Sequence, residues 1–254
     1  MQDSQSEKDV RQMNAAYNEA YLHYRESFSS IFNEEHREEQ KGIPETAALD
    51  DGFSLCSRYY TGTLKGNIHA VIHDLVGEDG TVLLSWRNLD DDGDFCRLIH
   101  HRNGKRYLVF REDLYGCSIF CVETGEVFRY VPACVYPDKQ EDFQESFIWT
   151  DAVYDSKSDL LAVTGCFWAC PFDVMILDFE NPFTEPEGIN GHELMDRDYD
   201  IYDDIEFSDF QNGNIILKAY NTRDEKQEIL TYDTEYIKGL LKERFKAVRM
   251  EDTR

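Results

Sequence analysis

Residues 211–233 read QNGNIILKAYNTRDEKQEILTYD, and this stretch decides the fold that we expect. Two short runs, Ile215–Tyr220 and Glu228–Tyr232, are rich in residues that favour strands. The first run follows an Asn212-Gly213 pair, which supplies the positive φ angles of a tight hairpin turn. The stretch therefore predicts antiparallel strands joined by short turns.

The same sequence pattern extends over residues 53–233, where short apolar runs alternate with turn residues. Further strands are predicted at His69–His73, Thr81–Trp86, Phe95–Ile99, Tyr107–Arg111, Ser118–Val122, Val127–Val131, Ile148–Tyr154, Leu160–Thr164, Val174–Phe179 and Asp204–Phe207. No helical pattern of about 10–15 residues separates these runs, so parallel βαβ units are disfavoured. The pattern predicts a mainly β protein built of antiparallel meanders.

A weak internal repeat is visible in this region. Tyr107, Leu161 and Ile215 each lie in a run that follows a turn, and they are spaced 54 residues apart. Periods of about 40–50 residues are typical of propeller blades. Residues 68–233 resemble degenerate, WD-like β-propeller blades, although no Gly-His or Trp-Asp signature recurs. The resemblance implies four irregular blades or an open stack of meanders.

An amphipathic helix is predicted at each end of the chain. Residues 7–40 carry a stripe of apolar residues at spacings of three or four, which predicts one long helix. Its tyrosines would dock on the rest of the protein or bind a partner. Thr234–Met250 predicts a second helix capped by Thr234. We therefore expect a helical segment at 1–44, a β-repeat body at 45–233 and a packed helix at 234–254.

The charge of the chain excludes some classes of protein. Its 51 acidic and 26 basic residues give a net charge of −25, which disfavours general binding to nucleic acid or to anionic membranes. The first residues, Met1–Gln5, contain no apolar signal core. Seven cysteines without such a signal indicate reduced thiols. We therefore expect a cytoplasmic protein.

The cysteines come closest to a metal motif. Cys117 and Cys121 fall on a predicted strand, where four residues span about 13 Å at about 3.3 Å per residue, too far apart for one zinc ion. Cys166 and Cys170 have the same spacing, and a redox or metal role for that pair is left open. We expect no bound metal and no cofactor.

The acidic residues are concentrated in residues 178–209, which hold twelve carboxylates and one arginine, together with several aromatic residues. Aromatic side chains beside carboxylates are typical of an interface. We expect a non-catalytic interaction module, such as an immunity- or inhibitor-type protein, that binds a basic protein partner. The predicted partner-binding residues are Glu193, Asp196, Asp198, Tyr199, Asp200, Tyr202, Asp203 and Asp204.

The alternative is a carboxylate-dependent hydrolase or a carbohydrate-binding protein. Such a protein would place carboxylates beside Trp86, Trp149 or Trp168 in an aromatic-lined cleft. No nucleotide-binding, zinc-protease or serine-hydrolase motif occurs in the chain. The sequence therefore assigns no catalytic residue.

Overall fold

A computed structural model describes residues 14–38, 45–63, 68–89, 95–137, 140–168, 171–195 and 201–251. Its contacts divide the chain into two units. The first unit comprises Met1–Leu98 and Lys105–Ser146, and the second comprises Ile99–Gly104 and Phe147–Arg254. The predicted division at residues 44/45 and 233/234 stays a prediction.

The first unit is built on two antiparallel sheets. The strands that begin in this unit are β1 (Arg37–Glu38), β2 (Thr46–Ala48), β3 (Ser54–Gly62), β4 (Ile68–Val76), β5 (Val82–Asn88), β6 (Cys96–His100), β7 (Arg106–Phe110), β8 (Cys117–Cys121) and β9 (Val127–Tyr130). One sheet has the order β1-β3-β4-β5, with β2 also paired to β3, and the other has the order β6-β7-β8-β9. Leu75, Trp86, Leu108 and Phe110 lie in one buried apolar cluster of this unit.

The sequence did not predict β3, which lies in the middle of the first sheet. Its residues Ser54, Ser57 and Arg58 are polar, so the run lacks the apolar density that identified its neighbours. Pairing overrides this weak local preference, because β3 is hydrogen-bonded to β4 over nine residues, from Ser54↔Val76 to Gly62↔Ile68.

The prediction of one long helix over residues 7–40 is wrong within the described part of that range. The chain forms a single turn at Ala15–Tyr17, a helix α1 at Glu19–Glu26, two further turns, and then strand β1. The Asn14 and Asn33 side chains accept hydrogen bonds from the backbone N–H groups of Ala16 and Glu35, at 3.0 and 2.9 Å. Such local bonds compete with a continuous helix.

The tyrosines of α1 dock on the rest of the first unit, as one of the two interpretations predicted. The ring centroids of Tyr21 and Tyr24 lie 4.8 and 5.3 Å from that of Tyr136. Offset and edge contacts at such distances stabilise aromatic clusters. The short helix is therefore held by packing on its own unit.

The second unit also consists of antiparallel sheets. Its strands are β10 (Ile148–Asp155), β11 (Leu160–Cys166), β12 (Phe172–Asp178), β13 (Gly188–Asn190), β14 (Tyr202–Gln211), β15 (Asn214–Asn221) and β16 (Lys226–Asp233). The sheet orders are β10-β11-β12-β13 and β14-β15-β16. At the predicted turn between β14 and β15, Asn212 and Gly213 have φ angles of 52° and 76°, which suits a tight hairpin.

Two helices complete the second unit, α2 at Gly191–Leu194 and α3 at Thr234–Glu251. The buried Ile237 and Leu241 of α3 join Ile215 and Leu217 of β15 in one apolar cluster. Asp233, not Thr234, provides the cap, because its carboxylate accepts the N–H of Tyr236 at 2.9 Å. The Thr234 hydroxyl instead donates to the Gly213 carbonyl at 3.0 Å.

No helix among the described residues is long and apolar enough to cross a membrane.

Candidate functional site

A row of three residues crosses one face of the first sheet. Arg58 of β3 pairs with Ile72 of β4, and Ile72 pairs with Arg87 of β5. Because successive side chains of a strand point to opposite faces, the preceding or following residues form a second row on the other face. In that row Ser57, His73 and Trp86 are all buried. The sheet therefore has a packed face and a face that presents two guanidinium groups.

The second sheet of the same unit contributes Arg129 and a carboxylate. Arg129 of β9 pairs with Ser118 of β8, and Glu112 follows directly after β7. The Glu112 Oε1 atom accepts hydrogen bonds from Arg129 Nε at 2.6 Å and from Ser118 Oγ at 3.0 Å. Charge-assisted bonds of this kind fix the geometry of both partners. Glu112 is thus held as an acceptor between a guanidinium and a hydroxyl.

Arg25 of α1 connects these parts. Its guanidinium donates to the backbone carbonyls of Glu112 and Arg87, the second at 2.6 Å. It also lies 3.5 Å from Glu112 Oε2 and 3.9 Å from Asp113 Oδ2. The N–H groups of Arg25 are therefore committed to the protein, and the residue ties α1 to the end of β5 and to the segment after β7.

These residues surround a cavity of about 390 Å³ in the first unit. The described residues that line this larger cavity are Arg25, Arg58, Ile72, Ser85, Trp86, Arg87, Glu112 and Arg129. Four arginines and one carboxylate thus face one space, in a chain whose net charge is −25. Ligand sites commonly have volumes of about 300–1,000 Å³, so the size suits a small molecule.

The four guanidinium groups are not equally neutralised. Arg58 donates to Asp74 Oδ2 at 2.6 Å. Burial raises the pKa of Asp74, but the hydrogen bonds from Arg58 and Ser85 outweigh it and leave that pKa lowered. Arg87 is exposed, and within the described chain no carboxylate lies within ion-pair distance of it. Its guanidinium carbon lies 4.9 Å from the centre of the Phe32 ring.

A second, smaller cavity adjoins the first. It has a volume of about 80 Å³, and we call it the recess. Arg25, Glu112 and Arg129 line both cavities. The other described residues that line the recess are Ala16, Tyr21, Leu22, Asp113, Tyr115, Cys117, Ser118, Tyr130 and Val131.

The arrangement suits the binding of an anion. Arg87 can offer two parallel N–H donors to a carboxylate or phosphate, and Arg58 and Arg129 have further N–H groups beyond those already bonded. Glu112 and Ser85 provide oxygen acceptors on the same walls. A ligand that carries both an acidic group and hydroxyl groups would find partners of both kinds.

The predicted partner-binding residues lie elsewhere, in the second unit. Glu193 closes a capping box with Asn190 and forms an ion pair with Arg244 at 3.0 Å. Tyr202 is buried and donates its hydroxyl to Glu228 at 2.8 Å. Asp203 and Asp204 are exposed, and Asp204 accepts the N–H of Phe172 at 3.1 Å. Asp196, Asp198, Tyr199 and Asp200 lie outside the described residues.

Of the three tryptophans of the alternative, Trp86 belongs to the first unit, and Trp149 and Trp168 belong to the second. The Trp86 ring packs in the core, with its centroid 4.5 Å from that of Phe110, although the residue also borders the larger cavity. Trp149 is buried and Trp168 is exposed. Cys117 and Cys121 are buried on β8, and Cys166 is partly exposed on β11. Cys170 lies outside the described residues, so the question about its pair with Cys166 stays open.

Sequence reasoning missed every arginine of the cavity. Arg58 lies on the strand that was not predicted, and Arg25 was assigned to the polar side of a long helix. Arg87 directly followed the predicted strand Thr81–Trp86, and Arg129 lay within the predicted strand Val127–Val131, without any motif around either residue. The one available signal was the alternation of β3, in which Arg58 falls between the buried residues Ser57 and Tyr59.

Comparisons with known proteins show only distant likenesses. No family model and no characterised protein sequence matches the chain. Among solved structures, an α-L-arabinofuranosidase from Podospora anserina in complex with cellotriose is similar at a TM-score of 0.32 and 12 % identity. That match covers 77 % of this chain and 66 % of the enzyme.

Two further solved structures have comparable scores. The catalytic domain of a GH62 α-L-arabinofuranosidase from Coprinopsis cinerea has a TM-score of 0.31 and 10 % identity, with 77 % of this chain and 67 % of that one covered. TolB from Acinetobacter baumannii has a TM-score of 0.28 and 12 % identity, with 74 % and 43 % covered. Scores this low transfer neither an activity nor a substrate. Closure of the sheets into a propeller stays a prediction.

The expectation of a non-catalytic acidic module is corrected by these findings. The solved structures that resemble the chain include carbohydrate-active enzymes, which is the class of our alternative. Separately, the arginine-lined wall of the larger cavity would attract an acidic ligand and repel a basic one. The prediction considered the acidic region at residues 178–209 and did not consider the arginines of this cavity.

Proposed function

We propose that the first unit binds a small, hydroxyl-rich organic anion, a sugar acid or a sugar phosphate, in the larger cavity. The observation that carries this proposal is the convergence of Arg25, Arg58, Arg87 and Arg129 on one space of about 390 Å³. Arginine is the side chain best suited to bind carboxylates and phosphates, because its planar fork matches their geometry.

The roles of the four arginines differ. Arg87 has no carboxylate partner among the described residues and is the main anchor for the acidic group. Arg129 and Arg58 each hold one carboxylate at 2.6 Å and supply further donors beside the anchor. Arg25 is a positioning residue, because its bonds to the backbone carbonyls of Arg87 and Glu112 set the spacing of the walls.

The state of Glu112 supports binding as the activity of this cavity. Hydrolysis of a glycosidic bond needs one carboxylic acid that gives up a proton to the leaving oxygen. Glu112 instead accepts hydrogen bonds from Arg129 and Ser118 and faces Arg25. It is arranged to accept a hydrogen bond from a ligand hydroxyl group.

Calorimetric titration of the full chain with three sugars of one size tests the proposal. Glucuronate and glucose 6-phosphate carry an acidic group, whereas glucose is the neutral control. We expect the two anions to bind and glucose to bind at least about tenfold more weakly, since a charge-assisted hydrogen bond contributes about 1.5–3 kcal/mol.

The variant Arg87→Gln removes the anchor and keeps a polar side chain of similar length. It should weaken anion binding by about tenfold or more. Arg37→Gln is the matched control, because Arg37 belongs to the same unit and pairs with Glu34 and Glu45 away from the cavity. Equal affinities for glucose and the anions, or unchanged anion binding by Arg87→Gln, would overturn the proposal.

A further inference from the structure

The recess beside the larger cavity has a size and lining that select a second chemical group. An engineered cavity of about 150 Å³ with apolar walls holds benzene. At about 80 Å³ the recess has roughly half of that volume, which suits an acetyl group better than a ring.

The walls of the recess favour a neutral occupant. Ala16, Tyr21, Cys117 and Val131 are all at most 6 % exposed. Burial raises the pKa of the Tyr21 phenol, and the nearby Asp113 raises it further, so that hydroxyl stays neutral. Two carboxylates, Glu112 and Asp113, and two guanidinium groups, Arg25 and Arg129, also line the recess, so its charges balance and give no preference for a second anionic group.

The shared wall supplies polar partners at the place where the two cavities meet. Glu112 lines both, and its carboxylate can accept a hydrogen bond from an N–H group located between them. Arg25 and Arg129 line both as well, and a carbonyl oxygen there could accept an N–H of Arg129. An amide fits this pair of partners, whereas an ester or ether lacks the donor.

We infer that the ligand of this site is an acidic sugar with an acylamino group, in which the acidic group contacts Arg87 and the acyl group occupies the recess. This inference rests on the proposed function of the larger cavity and deepens it by naming the substituent. The N-acetyl derivatives of sugar phosphates and of uronic acids are the class of ligand that it selects.

Titration with a matched series tests the inference. Glucose 6-phosphate is compared with N-acetylglucosamine 6-phosphate and with its N-propionyl and N-pentanoyl analogues. We expect the N-acetyl compound to bind at least about tenfold more tightly than glucose 6-phosphate, since each buried CH₂-sized group contributes about 0.8 kcal/mol and the amide adds a hydrogen bond. The N-pentanoyl compound should lose this gain, because its chain exceeds the recess.

A variant of the recess wall sharpens the test. Leu22 lines the recess and is 52 % exposed, so Leu22→Ala widens the recess without removing a core residue. In this variant the N-pentanoyl compound should regain affinity, while glucose 6-phosphate should bind as in the wild type. Leu83→Ala, an exposed leucine of β5 that does not line the recess, is the matched control.

The outcomes separate the two proposals. If glucose 6-phosphate and the N-acetyl compound bind equally well, and both need Arg87, the inference about the acyl group is wrong and the anion-binding function stands. The same holds if N-pentanoyl binding is as tight as N-acetyl binding in the wild type. If neither a sugar phosphate nor glucuronate binds, both proposals are wrong.

Discussion

Each unit of the molecule contains a buried histidine, and the two have opposite protonation behaviour. His73 of β4 lies in the first unit, with its Nδ1 2.8 Å from Ser57 Oγ and its ring centroid 5.0 Å from that of Trp86. His192 of α2 lies in the second unit, with its Nδ1 3.0 Å from Asp173 Oδ2. Both residues are at most 4 % exposed.

The difference shows that burial and a charged hydrogen-bond partner have separate effects on the pKa of a histidine. Burial lowers the pKa of His73 to about 4 from its ordinary 6.5, because the opposing charge of Asp74 is too weak to offset burial and the positive charge of Arg58 lowers the pKa further. Burial also opposes the charge on His192, but the hydrogen bond and the negative charge of Asp173 outweigh it, so the pKa of His192 is raised. The first histidine is therefore neutral in the folded protein, and the second favours its charged form.

The largest expected effect comes from Asp173→Asn, which removes the carboxylate that faces the His192 ring. Asp173 Oδ1 accepts the N–H groups of Val174 and Gly191, and Oδ2 faces His192. An amide has one oxygen, so the Asn side chain can keep the Val174 and Gly191 donors only by turning its NH₂ group toward His192, which removes the negative charge beside the ring. We expect a loss of about 3–5 kcal/mol in the free energy of unfolding, measured in urea at pH 6.

Asp209→Asn is the control for this change, because Asp209 is an exposed carboxylate of β14. Its effect should stay within about 0.5 kcal/mol. If Asp173→Asn is equally mild, the carboxylate does not hold the charge of His192, and the comparison fails.

The next effect is the acid sensitivity that His73 gives to the folded state. Its pKa is lowered to about 4 in the folded protein, so its contribution to stability is complete above pH 6.5 and is lost as the pH falls toward 4. The linkage predicts a loss of about 2 kcal/mol between pH 7.5 and pH 5. Urea titrations at the two values measure it.

His73→Gln should remove that pH-dependent loss, whatever it does to the stability itself. His69→Gln is the control on the same strand, because His69 is exposed. A wild-type slope that persists in His73→Gln would show that other groups cause the acid sensitivity.

We attribute a loss of stability at alkaline pH to His192. Because its pKa is raised in the folded protein, its contribution is complete below the ordinary value of 6.5 and is lost as the pH rises through the raised value. We expect the urea midpoint of the wild type to fall between pH 6.5 and pH 9, and His192→Gln to flatten this fall. His23→Gln, at an exposed position of α1, should leave it in place.

The smallest effect concerns the contact between the Ser57 hydroxyl and His73 Nδ1. Ser57→Ala removes the hydroxyl beside Nδ1 and should cost about 1 kcal/mol in the free energy of unfolding at pH 7. Ser54→Ala, on the same strand and partly exposed, is the control. An effect as large as that of Asp173→Asn would mean that a neutral contact holds a buried histidine as strongly as a carboxylate does.

The strands show how far local pattern reaches. Runs such as Leu160–Thr164 and Ile215–Tyr220 were found because their residues favour strands and turns delimit them. Strand β3 was missed because its polar residues give no strand pattern. Its stability comes from pairing with neighbouring strands on both sides. The long N-terminal helix was wrong because periodicity counts apolar spacing and does not register that Asn14 and Asn33 bond to their own backbone.

The candidate site was less predictable than the fold. His73 and His192 look alike in the sequence, and nothing local marks Asp173, which lies nineteen residues before His192. The charge excess drew attention to residues 178–209, whereas the cavity collects arginines from four separated segments. A sequence pattern within ten or twenty residues cannot show that arginines from separated segments meet in one cavity.

The sequence by itself determined the antiparallel β character, the Asn212-Gly213 turn and the position of the C-terminal helix, because these depend on neighbours within a few residues. Only the tertiary structure decided that Arg25, Arg58, Arg87 and Arg129 share one cavity, and that the pKa of His73 is lowered while that of His192 is raised. The physical reason is that electrostatic interactions act through space between residues far apart in the chain. Strand pairing and packing, which set those distances, are themselves long-range.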